Sequence, residues 1–129
     1  MRPKSPTLTE HELELMKIVW ELDKPTVRAV YEAFRRRRKI AYTSVMTMMN
    51  VLVDKGRLRK EKVERVNVYR PTQPRQKVLG SMVADFVRRV LDGSAKPLLV
   101  QLVEDERLSE ADLDELRAMI QAQDEEKRP

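Results

Sequence analysis

Apolar residues recur along most of the chain at three- and four-residue intervals, interrupted once by a short stretch of alternation. Leu13, Met16, Val19 and Trp20 fall on one helical face, which Leu15 and Leu22 widen. Thr9 and Glu12 stand at capping-box spacing, so a first helix is predicted to start near Glu10, and Pro25 to end that element. Thr26 is placed to cap a second helix whose apolar face is Val27, Val30, Tyr31 and Phe34. A third helix is predicted from about Tyr42 to Lys55, with Gly56 placed to end it in the left-handed conformation. The alternating stretches Arg57 to Lys62 and Val66 to Arg70 then read as a β-hairpin, although no Asn-Gly pair marks its turn.

Pro71 and Pro74 punctuate the chain next, each restricting the residue before it, so a linker is predicted near residues 71–75. Beyond it Val78, Leu79, Met82, Val83, Phe86, Val87, Val90 and Leu91 make a broad stripe on a fourth helix, which Gly93 closes. Pro97 suits the first turn of a short fifth helix carrying Leu98, Leu99, Leu102 and Val103. Ser109 and Asp112 form another capping-box pair ahead of a sixth, with Leu113, Leu116, Met119 and Ile120; the polar run from Gln123 to Pro129 is expected to fray. The expected fold is mainly α with one small β-hairpin. A winged helix-turn-helix would occupy residues 1–73, and a three-helix region residues 74–129. Three short helices cannot enclose so much apolar surface alone. Val83, Phe86, Val87, Val90, Leu99, Leu102, Val103, Leu113, Leu116 and Ile120 are therefore the expected contacts with a second copy of the chain.

Charge divides the chain at the same place. Residues 1–75 hold 18 Lys/Arg against 9 Asp/Glu, a net +9, whereas residues 76–129 hold 8 against 12, a net −4. A basic half joined to an acidic half implies that one part meets a polyanion and the other does not. The 41% of hydrophobic residues suffices for a core, and the absence of cysteine excludes disulfides, thiolate metal sites and cysteine nucleophiles. No apolar run approaches the roughly 18 residues that span a bilayer, and no signal-like stretch follows Met1–Ser5. Cytoplasmic location without direct membrane association is the expectation.

The third helix carries the candidate chemistry. At 100° per residue Thr43, Thr47, Asn50 and Asp54 share one edge, while Val45, Met49 and Leu52 face the other way. Thr43, Ser44 and Thr47 are short hydrogen-bonding side chains in the first turns, where a recognition helix meets base edges. Met46 on the flank suits a thymine methyl, and Asn50 completes the candidate base-reading set. An ordinary solvated helix face would also be polar; the winged order and the basic half favour DNA. Arg35, Arg36, Arg37, Arg38 and Lys39 complement the second helix's dipole, but five adjacent cations repel one another and a phosphate backbone relieves that. Tyr42, Arg57, Lys62 and Arg65 join the expected phosphate contacts, the last three from the hairpin, where charged edge strands also discourage aggregation.

Little supports catalysis. His11 is the one histidine, there is no Gly-rich phosphate loop, and the acidic run from Glu104 to Glu115 lacks EF-hand spacing. No enzyme activity, cofactor or metal site is expected. A winged-helix adaptor that binds protein through its acidic half, without reading DNA sequence, is the alternative from another class.

The stretches LTEHELELMKIVWEL, PTVRAVYEAF, AYTSVMTMMNVLVDKGRL, VNVYRPT and LVEDERLSEADLDELRAMI resemble the BlaI/MecI/CopY family of penicillinase and copper-responsive repressors, from about Leu8 to Gln121. The resemblance implies a homodimeric repressor on a palindromic operator, with the third helix in the major groove. It puts Thr43, Ser44 and Thr47 at base- and backbone-contacting positions, and the C-terminal helices in an intertwined dimer region. In the β-lactam-responsive branch, a membrane-bound sensor metalloprotease leads to cleavage of an Asn-Phe bond in the repressor. The matching pair here is Gln101-Leu102. Many relatives carry arginine where this chain has Val51, and the cysteine motif of the copper branch is missing.

Overall fold

The computed structural model describes residues 7–128; the segment Met1–Ser5 and Pro129 lie outside them. In chain order the elements are α1 (Glu10–Glu21), α2 (Val27–Phe34), α3 (Tyr42–Asp54), β1 (Leu58–Val63), β2 (Val66–Pro71), α4 (Arg75–Val90), α5 (Lys96–Glu104) and α6 (Glu110–Glu126). All six expected helices and the hairpin are present, and the fold is mainly α.

Local chemistry starts and stops these elements. Thr9 Oγ1 accepts from the Glu12 amide at 3.2 Å, while Glu12 Oε1 accepts from the Thr9 amide at 2.9 Å. This reciprocal box satisfies two amides that a helix start would otherwise leave bare. Thr26 caps α2 through the Ala29 amide at 3.0 Å, and Ser109 with Asp112 forms the box of α6. Gly56, at φ +77°, closes α3: its amide donates to the Val53 carbonyl and that of Arg57 to the Leu52 carbonyl. Glu106 holds the same left-handed post after α5 without being glycine. Where the polar run from Gln123 is expected to fray, α6 continues to Glu126 with Lys127 as its C-cap; Pro129 lies outside the described residues.

The chain forms two compact units, residues 1–82 and 83–129. In the first, α1, α2 and α3 pack on one another and on the antiparallel β1–β2 hairpin. Leu15, Met16, Val19, Val30, Phe34, Val45, Met49 and Leu52 are buried at its centre, joined by Leu58, Tyr69 and Val78. Each such side chain contributes about 1.5–3 kcal/mol by leaving water. Met82 packs against this core as well, so the apolar stripe of α4 is divided, its first turns belonging to the N-terminal unit. The compact units accordingly part inside a helix, between Met82 and Val83, some residues beyond the proline-marked stretch.

Two polar ties fix the hairpin. The Tyr69 amide donates to the Pro25 carbonyl at 2.8 Å, and Thr72 Oγ1 donates to the Gly56 carbonyl at 2.7 Å. The register pairs Val63 with Val66, leaving Glu64 and Arg65 as a two-residue turn at φ +50° and +71°. A turn with both central residues left-handed matches strand twist, even without the glycine that usually serves it.

The second unit contains the last two turns of α4, with α5 and α6. Neither α5 nor α6 buries a single residue. Val83, Phe86, Val90, Leu99, Val103, Leu113, Leu116 and Ile120 are all exposed, Phe86 by 39% and Ile120 by 59%; Val87 and Leu102 are half-buried. No helix among the described residues is long and apolar enough to cross a membrane.

Candidate nucleic-acid interface

Helix α3 is two-sided. Val45, Met49 and Leu52 are fully buried against the core, which holds the helix in one rotation about its axis. That rotation leaves Tyr42, Thr43, Ser44, Met46 and Thr47 exposed. Thr43, Ser44 and Thr47 line a shallow cleft with Thr9 and His11 from the start of α1. Met46 and Tyr42 face a second groove, walled by Thr26 and by Arg65 and Asn67 of the hairpin. Asn50 is half-buried, and its Oδ1 accepts a hydrogen bond from the Tyr69 hydroxyl at 3.3 Å. Ala41 precedes α3 and supplies no side-chain acceptor, so this helix lacks the cap that α1, α2 and α6 possess.

The five cations after α2 differ in their surroundings. Arg35 pairs with Glu32 at 3.7 Å and lies over the Tyr31 ring; Arg38 pairs with Glu14 at 3.0 Å and donates to His11 Nε2 at 2.9 Å. Arg36, Arg37 and Lys39 are exposed, with no ion-pair partner among the described residues. All five border one depression together with Tyr31 and Ile40. On the hairpin, Lys62 and Arg65 are exposed and lie at and beside the turn, and Arg57 is half-buried at its base. Lys60 sits over the Tyr69 ring, 5.5 Å from its centroid.

One ion pair beneath this surface escapes sequence reasoning. Glu12 is only 5% exposed, and Lys55 Nζ reaches its Oε1 at 2.7 Å while also donating to the Thr7 carbonyl at 3.2 Å. Burial pushes the Glu12 carboxyl upward, but the Lys55 hydrogen bond and charge and the Thr9 contacts outweigh it, and the pKa lies below the ordinary value. The pair joins the start of α1 to the end of α3. Its members are 43 residues apart, and each has a sufficient local explanation, as capping residue and as polar helix end.

Among the described residues, no group of three or more His, Cys, Asp or Glu side chains is arranged to hold a metal ion. His11 is a surface histidine engaged by Arg38.

A sequence model described as penicillinase repressor matches residues 8–122. The transcriptional regulator BlaI of Mycobacterium tuberculosis (strain ATCC 25618 / H37Rv) is 34% identical over 107 residues, spanning 81% of this chain and 78% of that protein. The penicillinase repressor of Bacillus licheniformis is 25% identical over 118 residues, 92% of each chain. Two solution structures resemble the fold, each with a TM-score of 0.50 over 57% of this chain. One is the DNA-binding domain of the repressor BlaI, 28% identical and 90% covered. The other is monomeric Bacillus licheniformis BlaI in complex with the blaP half-operator, 29% identical and 89% covered.

Proposed function

The chain belongs to the penicillinase repressor family, and from that premise we propose that it is a dimeric transcriptional repressor which lays α3 in the major groove of a pseudo-palindromic operator. The observation that carries this reading is the two-sidedness of α3. Its buried face fixes the helix while Thr43, Ser44, Met46 and Thr47 stand outward, free to meet base edges. Arg36, Arg37, Lys39, Lys62 and Arg65 are exposed cations with no carboxylate partner among the described residues, available for phosphates. A relative whose solved structure holds a half-operator supports the same assignment. The family is one of repressors, and no reaction is assigned to this chain. Its work lies in the cytoplasm, beside the DNA.

The apolar set left bare on α4, α5 and α6 is the proposed dimer surface, since a second copy would cover it. The N-terminal unit, which takes in the first turns of α4, and the unit from Val83 onward then divide the labour into DNA binding and dimerisation. For release, the family resemblance supplies a membrane-bound sensor metalloprotease that leads to cleavage of an Asn-Phe bond; the matching pair here is Gln101-Leu102, a departure that leaves release by another signal as the alternative. The Gln101-Leu102 bond lies inside α5, where the Gln101 carbonyl accepts from the Asp105 amide at 3.0 Å, so cleavage there would require local unwinding.

Purified full-length protein should bind a dyad-containing fragment from its own promoter region, and lose affinity steeply with salt. If about 6–10 phosphates are contacted, the loss between 50 and 200 mM salt is on the order of 10³–10⁵. Binding insensitive to salt and to sequence, beside tight capture of a protein partner, would instead favour the adaptor reading.

A further inference from the structure

Asn50 is the one amide side chain on the outward edge of α3, and it is tied to the hairpin. The Tyr69 hydroxyl donates to its Oδ1 at 3.3 Å. Tyr69 itself is firmly held: its ring is buried, its amide donates to Pro25, and Lys60 lies over its face. We propose that Tyr69 is a positioning residue for sequence reading, holding Asn50 so that its amide N–H groups, and not its carbonyl oxygen, are offered to the DNA. This rests on the DNA-reading role proposed above for α3.

The chemistry follows from the two ends of the side chain. Asparagine reads adenine bidentately, its oxygen accepting from N6 and its nitrogen donating to N7. That mode needs both ends turned toward one base. With Oδ1 turned to the Tyr69 hydroxyl, the end remaining is Nδ2, a pure donor. A lone donor meets acceptors, which in the major groove are guanine O6 and N7, thymine O4 and adenine N7; guanine sets two of them side by side, whereas at adenine the N7 adjoins the N6 amino donor that Oδ1 no longer faces. Asn50 is therefore assigned to a guanine or thymine in preference to an adenine at one position of each half-site. The hairpin thereby affects specificity without touching that base.

The test uses the full chain and a randomised duplex library, with base preference scored at every position of the recovered sites. Four proteins are compared: wild type, Tyr69→Phe, Asn50→Ala and the double variant. Wild type should favour guanine or thymine at one half-site position, and Asn50→Ala should flatten the preference there alone. Tyr69→Phe frees Oδ1, so adenine at that position should gain roughly 5- to 100-fold relative to guanine. In the Asn50→Ala background the same change should do nothing further. Preference is a ratio within one protein, so a general loss of stability leaves it unmoved. A uniform loss of affinity on Tyr69→Phe, an unchanged profile, or a shift that persists without Asn50 would overturn the assignment while leaving DNA reading by α3 intact. Wild-type protein without base preference at any position would overturn the DNA-reading role, and this assignment with it.

Discussion

Replacing Lys55 by methionine tests how the first unit holds α3. The change keeps an unbranched stem of similar reach and removes the ammonium, so the lost quantity is chiefly charge. Glu12 is then left in a site with almost no water, its counter-charge gone. Breaking a buried pair from one side costs about 3–5 kcal/mol. The low end applies, because Glu12 Oε1 still accepts the Thr9 amide. For a unit of this size each kcal/mol moves Tm by roughly 4–8 °C, so a fall of about 12–24 °C is expected at pH 7. Trp20 reports on this unit alone, being the chain's one tryptophan and donating to the Gln73 carbonyl at 3.1 Å. Its fluorescence during thermal unfolding is the assay. Glu12→Gln combined with Lys55→Met should be more stable than Lys55→Met alone, since no charge is then stranded.

Acid supplies a second readout from the same pair. The Glu12 pKa is depressed in the folded chain, so its contribution is complete above the unfolded carboxyl value, about 4.3, and fades as pH drops through the folded one. In Lys55→Met the upward push of burial is opposed by the Thr9 contacts alone, so the carboxyl takes up a proton more readily and protonation relieves the stranded charge. The gap between wild type and variant should close as pH falls below about 4. A Tm within about 4 °C of wild type at pH 7, or a gap that widens in acid, would refute the reasoning.

Further outcomes are expected elsewhere. Thr47→Ala should weaken operator binding more than binding to random DNA, whereas Arg36→Ala should lower both alike and reduce the salt slope by about one; footprint competition separates the two. Phe86→Asp puts a charge into the proposed dimer surface, so sedimentation should show monomers and operator affinity should fall with lost avidity. Pairing Glu64→Asn with Arg65→Gly relieves two left-handed residues and should raise stability by about 1 kcal/mol in urea titration, while DNA affinity drops with the lost cation.

What the sequence makes legible here is what neighbouring residues decide. Thr9, Thr26, Ser109 and Gly56 act within one helical turn, and each does in the structure what its spacing predicts. The rotation of α3 was equally readable, since Val45, Met49 and Leu52 leave only one way to bury it. The hairpin turn was less so: Glu64 and Arg65 carry no turn preference, and strand pairing on both sides forces them left-handed. The division within α4 is invisible in a stripe that is apolar throughout, because Val78 and Val83 differ only in what lies opposite. Of the cations after α2, which ones meet carboxylates depends on Glu14 in α1 and on Glu32 a turn away. Contacts such as Glu12–Lys55 and Tyr69–Asn50 join segments that only the tertiary fold brings together.

The bare start of α3 bears on how complete the protein is before it meets its target. Serine or aspartate at position 41 in place of Ala41 would stabilise the free chain by about 1 kcal/mol. Its oxygen would also occupy the spot where a backbone phosphate can receive the first amides of the helix. Left unfilled, that spot would let the duplex of the proposed complex finish the helix. The amide protons of Tyr42 and Thr43 should therefore exchange quickly in the unbound protein and slow sharply once operator is added.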